Sequence, residues 1–156
     1  MANSQPNEET NLGRNSRGNS HDIAENREVV RRLMEEVLAR GDIRLIPEFV
    51  AADYVAHLES GDHYGPEGIR IDVAAYCSAF PVLDLKLEDL LADGDKVVRR
   101  FTLRGTHNRP FLGTPASGRW VVLRGIAIDR VVQGQLVESS VQVEGFLTQR
   151  CSRTRD

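Results

Sequence analysis

What the chain lacks narrows its class first. Its 156 residues hold two cysteines, Cys77 and Cys151, and no CxxC or Cys/His cluster. Neither a disulfide framework nor a zinc site is expected, and a reducing, cytoplasmic setting is the default. No apolar run approaches the ~20 residues that cross a bilayer. The N-terminus shows no basic patch followed by an apolar core, so no secretory signal is expected. Neither sign of charge dominates: 20 Lys and Arg face 23 Asp and Glu, for a net charge of −3. A strongly basic surface for nucleic acid is not expected from that balance. What is present, 40% hydrophobic and 28% charged residues, is the mixture of one ordinary globular domain.

The first twenty residues, rich in Asn, Ser and Gly, have too little apolar surface to offset their ordering entropy. Residues 1–21 are therefore expected to be a disordered tail and residues 149–156 a flexible basic one. The domain between them, 22–148, is long enough to bury about two-thirds of its unfolded surface.

Three helices are expected first. Asp22 and Glu25 read as a capping box. Val30, Leu33, Met34, Val37 and Leu38 then follow at helical spacing up to Gly41. Asp42 can cap a short second helix carrying Ile46 and Phe49, with Pro47 awkward near its middle. Tyr54 to His57 reads as extended, followed by a polar loop through Gly61 and Asp62. Gly65-Pro66 opens a third helix with a stripe of Ile69, Val73, Tyr76, Cys77 and Phe80.

Strands come after. Leu83, Leu85 and Leu87 alternate with charged residues, and Asp93-Gly94-Asp95 marks a turn. Arg99, Phe101, Leu103, Gly105 and His107 share one strand face. Trp120 to Val132 is a long strand, apolar on both faces. Gln133-Gly134 turns into a last strand on which Val137, Ser139, Val141 and Val143 share one parity. Helices followed by a meander of strands argue for an α+β fold.

This order of elements, with Gly105-Thr106-His107-Asn108-Arg109-Pro110-Phe111-Leu112-Gly113-Thr114-Pro115, resembles the SnoaL-like polyketide cyclase family of nuclear-transport-factor-like α+β barrels. Asp53-Tyr54-Val55-Ala56-His57, Gly65-Pro66-Glu67-Gly68 and Ala79-Phe80-Pro81 add to the likeness. The resemblance implies a cone-shaped barrel, with N-terminal helices packed on a curved, mainly antiparallel sheet. It implies an apolar cavity for a polyketide, no metal and no organic cofactor. It also implies an aspartate on the last strand as acid/base. That position falls at Val141, and the family's frequent histidine on the same strand falls at Ser139. A valine exchanges no proton, so aldol chemistry lacks its main group. A shift of register would bring Ser139 or Glu144 to the cavity instead.

Candidate groups remain. His107 matches the family's usual histidine, and His57 lies where the family often places His or Asn against the cavity. Each is a candidate catalytic group, acting as a hydrogen-bond donor or a weak base near neutral pH. Tyr54 and Tyr76 can offer a phenol to a carbonyl, or simply form wall. Asp129 and Arg99 share inner parity and read either as cavity groups or as an ion pair. Gly125 and Ala127 lack bulk in mid-sheet. They are expected to leave an apolar space flanked by Phe101, Leu103, Leu123 and Val141, which suits a small-molecule site.

The leading expectation is a cofactor-independent cyclase closing a ring on a polyketide by a shape-directed, Diels–Alder-type route. The alternatives are a hydroxylase or epoxide-opening relative on the same fold, and a non-catalytic small-molecule-binding module. Trp120, Val122, Ile126 and Ile128 form an apolar outer sheet face, from which a homodimer is expected.

Overall fold

The computed structural model describes residues 20–145, so both expected tails fall outside it except for Ser20 and His21. Helix α1 (Ser20–Arg32) starts two residues before the expected cap, which places Asp22 in its first turn. It runs on as a π-wound segment, Leu33–Ala39, and ends at Gly41, whose φ of 70° is the left-handed conformation that stops a helix. The Asp42 side chain accepts from the Arg44 backbone N–H and caps a 3₁₀ turn, Ile43–Leu45. Helix α2 (Ile46–Phe49) follows directly. Pro47 sits in its first turn, where no N–H is needed, so the proline helps this helix start.

Strand β1 (Val50–Leu58) is longer than the extended segment expected. The polar loop after it is in fact a short strand, β2 (Gly61–Tyr64), paired back on β1. Its four residues, Gly-Asp-His-Tyr, offer no apolar alternation, so pairing rather than pattern makes this strand. Helix α3 (Gly65–Ala79) starts with Pro66 in its first turn, as expected. Strands β3 (Asp84–Asp93), β4 (Lys96–Thr106), β5 (Trp120–Val132) and β6 (Gln135–Glu144) follow.

The fold is α+β: helices packed on one six-stranded sheet in the order β2-β1-β6-β5-β4-β3. All neighbours are antiparallel except β1 and β6, which run parallel. The sheet does not close. β2 and β3 form free edges, so the expected barrel is an open mixed sheet. Helix α1 packs across β3 and β4, and α3 across β1 and β2. Between these two contacts the helices and sheet separate, and the site lies there.

Register decides what faces inward. On β6 the pairing slips between Arg130 and Val131, so Leu136, not Val137, is the buried residue at its start. Beyond the bulge the parity returns, and Ser139, Val141 and Val143 face the helices. One inward row crosses the sheet as Val97, Asp129, Ser139, Ala56 and His63. Among the described residues no helix is long and apolar enough to cross a membrane.

Candidate functional site

An interior cavity of about 370 Å³ lies between the sheet and the helices. The π-wound segment supplies Leu33, Met34, Val37 and Leu38 to its wall. Helix α3 adds Ile69, Asp72, Val73 and Tyr76, at helical spacing on one face. From the sheet come Tyr54, Ala56 and Leu58 of β1, Arg99 and Phe101 of β4, Leu123 of β5, and Val141 and Val143 of β6. Phe111, from the loop after β4, stacks on Tyr76 with ring centroids 4.8 Å apart and closes one side. A mainly apolar hollow with a few converging polar groups is the ordinary form of a small-molecule site.

The polar groups are linked. Arg99 Nε donates to Asp129 Oδ2 at 2.6 Å, and Ser139 Oγ donates to Asp129 Oδ1 at 2.5 Å. The Tyr54 hydroxyl bonds to Ser139, so a single chain of bonds joins β1, β6, β5 and β4. Burial works against the charge on Arg99, yet the Asp129 carboxylate holds the guanidinium protonated above its usual range. Burial pushes the Tyr54 phenol up to about 12, against its bond to Ser139. It does the same to Tyr76. Both hydroxyls therefore stay protonated across the physiological range; Ser139 gives its one proton to Asp129, so the Tyr54 hydroxyl donates to Ser139.

A second pair stands in the same wall. His63 Nδ1 lies 2.8 Å from Asp72 Oδ1. Desolvation raises the Asp72 carboxyl above its ordinary value, and the contact with His63 partly opposes that rise. Gly68 makes the arrangement possible. A Cβ there would approach the His63 Cβ to 3.0 Å and its backbone carbon to 3.2 Å, so a side chain would push α3 away from β2. Among the described residues no three His, Cys, Asp or Glu side chains converge as a metal ion requires.

The SnoaL-like polyketide cyclase model matches residues 28–147. The chain belongs to the SnoaL-like polyketide cyclase family. Solved structures agree. A candidate SnoaL-like polyketide cyclase from Jannaschia sp. CCS1 is 26% identical, with 81% of this chain and 90% of that one covered and a TM-score of 0.74. TsrD from Streptomyces laurentii is 30% identical over 76% of this chain and 90% of its own, with a TM-score of 0.67. IdmH, a candidate polyketide cyclase from Streptomyces antibioticus, is 27% identical over 76% and 91%, with a TM-score of 0.66. No curated protein matches the chain in sequence.

Against the SnoaL-like expectation, several side chains stand elsewhere. His57 does not face the cavity. Its neighbours Ala56 and Leu58 do, and strand alternation turns His57 to the outer face. There its Nδ1 lies 2.9 Å from Asp62 and its Nε2 3.1 Å from Glu138, and these two carboxylates raise its pKa. His107 is fully buried but lies outside the cavity wall. Its Nδ1 is 3.2 Å from Ser117 Oγ and accepts from the Ser117 N–H, and its backbone bonds Arg119 and Gly118. It pins the loop between β4 and β5.

The glycine in mid-sheet leaves no room either. A Cβ at Gly125 would come within 2.2 Å of Phe101 Cζ, so the ring of Phe101 already fills that space. Leu103 and Ala127 are buried core outside the cavity wall. Asp129 and Ser139 are buried behind Arg99 and Tyr54 rather than in the wall itself. Glu144 faces outward. Tyr54, Tyr76, Arg99, Phe101, Leu123 and Val141 do line the cavity.

Asp72 and His63 were missed by sequence reasoning. The signal for Asp72 was an acid inside the apolar stripe of α3, between Ile69 and Val73. For His63 the signal was absent until β2 was known to pair with β1.

Val141 tests the register of β6. Val141→Asp would put a carboxyl in a desolvated wall, at a cost of roughly 1–3 kcal/mol at neutral pH. Its folded pKa should stand above about 3.9, so protonation relieves the cost. The deficit relative to wild type should therefore shrink as pH falls from 7 towards 4. Urea unfolding at both pH values measures it. A deficit near zero at pH 7 would show that position 141 faces solvent.

Proposed function

We propose that the protein is a cofactor-independent cyclase that closes a ring on a polyketide intermediate in the cytoplasm, within natural-product (antibiotic) biosynthesis. The reaction is of lyase or isomerase type. The observation that carries this reading is the mainly apolar cavity between helices and sheet, with Val141 in its wall at the position where the family's acid is expected. Ring closure is directed by shape. The walls hold a flexible chain folded, with reacting atoms about 3–3.5 Å apart, which removes a large entropic part of the barrier. The Tyr76 hydroxyl and Arg99 are the donors in the wall that orient a carbonyl.

The test is conversion of acyclic, carbonyl-bearing polyenes by the purified full chain, followed by mass spectrometry with chromatographic resolution of the cyclic isomer. Val143→Phe adds a ring to the cavity wall. It should slow ring closure by roughly 100-fold, the scale of a substrate displaced by about 1 Å. His57→Ala, on the outer face, should leave the rate within about 2-fold. Binding without conversion would support the binding-module alternative. Conversion unaffected by Val143→Phe would place the chemistry outside the cavity.

The same reading includes a homodimer formed by the outer sheet faces. In support, Trp120, Ile126 and Ile128 are each about half exposed or more on that face, though apolar. Sedimentation should give a dimer for wild type at micromolar concentration and a monomer for Ile126→Glu. A monomeric wild type would contradict it.

A further inference from the structure

The last strand lends the cavity no proton-transferring group, but its other walls do. Asp72 and His63 come from a helix and an edge strand, opposite in sequence origin to the β6 position that the family resemblance points to. Both line the interior cavity, 2.8 Å apart. The other titratable or charged groups in that wall are Tyr76 on α3, Tyr54 on β1, Glu59 after β1 and Arg99 on β4. Both phenols lie within electrostatic reach of Asp72 and of Arg99. Among the described residues Arg99 Nη1 donates only to the Met34 sulfur, a weak acceptor. A carboxylate base, the Tyr76 hydroxyl and a buried cation therefore line one small cavity. That is the set needed to draw a proton from carbon and hold the charge that develops on oxygen.

We propose that Asp72, positioned by His63, is the base that enolises a carbonyl-bearing ligand in the cavity, with Tyr76 and Arg99 facing the carbonyl oxygen. The inference rests on the reading of this cavity as the site of a cyclase. The α C–H bond breaks and its proton passes to an Asp72 carboxylate oxygen. The C–H electron pair forms the new C=C bond, and the carbonyl π pair moves onto oxygen. That oxygen is stabilised by the Tyr76 hydroxyl and Arg99, and the proton held by Asp72 passes to it. The product is an enol or dienol, the electron-rich partner that a shape-directed ring closure consumes. Asp72 is the catalytic group in this step. His63 acts through it, keeping the carboxyl ionised to a lower pH than its burial alone would allow.

The experiment uses the full chain and 2-tetralone, a bicyclic aromatic ketone. Exchange of its benzylic α-protons in deuterated buffer is followed by proton NMR, and binding by saturable shifts of its aromatic protons. Wild type should bind the probe and exchange it about 100-fold or more above buffer, the usual scale for a positioned base. Asp72→Asn, shown by circular dichroism to be folded, should still bind and should lose that acceleration. With His63→Gln, the rise of rate with pH should move to higher pH, a shift that a purely structural role would not produce. Binding without acceleration overturns the proposal and leaves the cavity reading intact. Acceleration undiminished in Asp72→Asn overturns it as well, by placing the base elsewhere. Neither binding nor exchange overturns both.

Discussion

Asp129 is fully buried, and its carboxylate is shared between Arg99 and Ser139. An isolated buried charge of either sign is very costly, and removing one partner of such a pair typically costs about 3–5 kcal/mol. The pair therefore constrains everything around it. Arg99 cannot swing into the cavity as a free cation, because Asp129 holds its Nε and Nη2. Ser139 cannot turn away from Asp129, and it carries Tyr54 with it. Four strands are tied at one level of the sheet by this chain, just below the floor of the cavity. What reaches the cavity from it is a fixed guanidinium edge and a fixed phenol.

This arrangement explains how a site can lack the family's last-strand acid and still be polar on one side. The polar row runs across the sheet rather than along β6. Asp129, Ser139 and His63 are neighbours in one inward row, interrupted only by Ala56. The row meets α3 at Asp72, where Gly68 allows helix and strand to approach. The rest of the wall is aliphatic or aromatic, so the charge sits at one end and the volume at the other. A ligand with one carbonyl region and an extended apolar body matches that division.

Much of this was legible in the sequence, and the failures are physical. The α+β class followed from periodicity, and Gly41, Pro66 and Gly94 marked ends and turns correctly because each serves a specific backbone need. The inner parity of Arg99, Phe101, Leu123 and Val141 also followed from alternation. Side-chain competition for space was not legible. Gly125 reads as empty room until Phe101 is seen to occupy it. The β6 bulge moved Leu136 inward in place of Val137, because register depends on the partner strand and not on the strand itself. The same dependence on pairing puts His57 on the outer face and His63 on the inner one. β2 has no hydrophobic pattern, so nothing local indicates that it pairs with β1 and turns His63 inward. His57, one residue from the cavity-lining Ala56 and Leu58, then faces out.

A second groove, about 940 Å³, shares Leu58, Phe101, Val141 and Val143 with the interior cavity and extends past His57, Arg100, Arg124 and Glu144. It is larger than the interior cavity, and its own part carries more charge. The central claim is that the interior cavity is the ligand site. A crystal structure of the full chain with 2-tetralone bound tests it most directly. The rings should lie against Val37 and Leu123, with the ketone oxygen about 3 Å from the Tyr76 hydroxyl or from Arg99. A ligand seated in the outer groove beside His57 and Arg124, with the interior cavity unoccupied, would contradict the account.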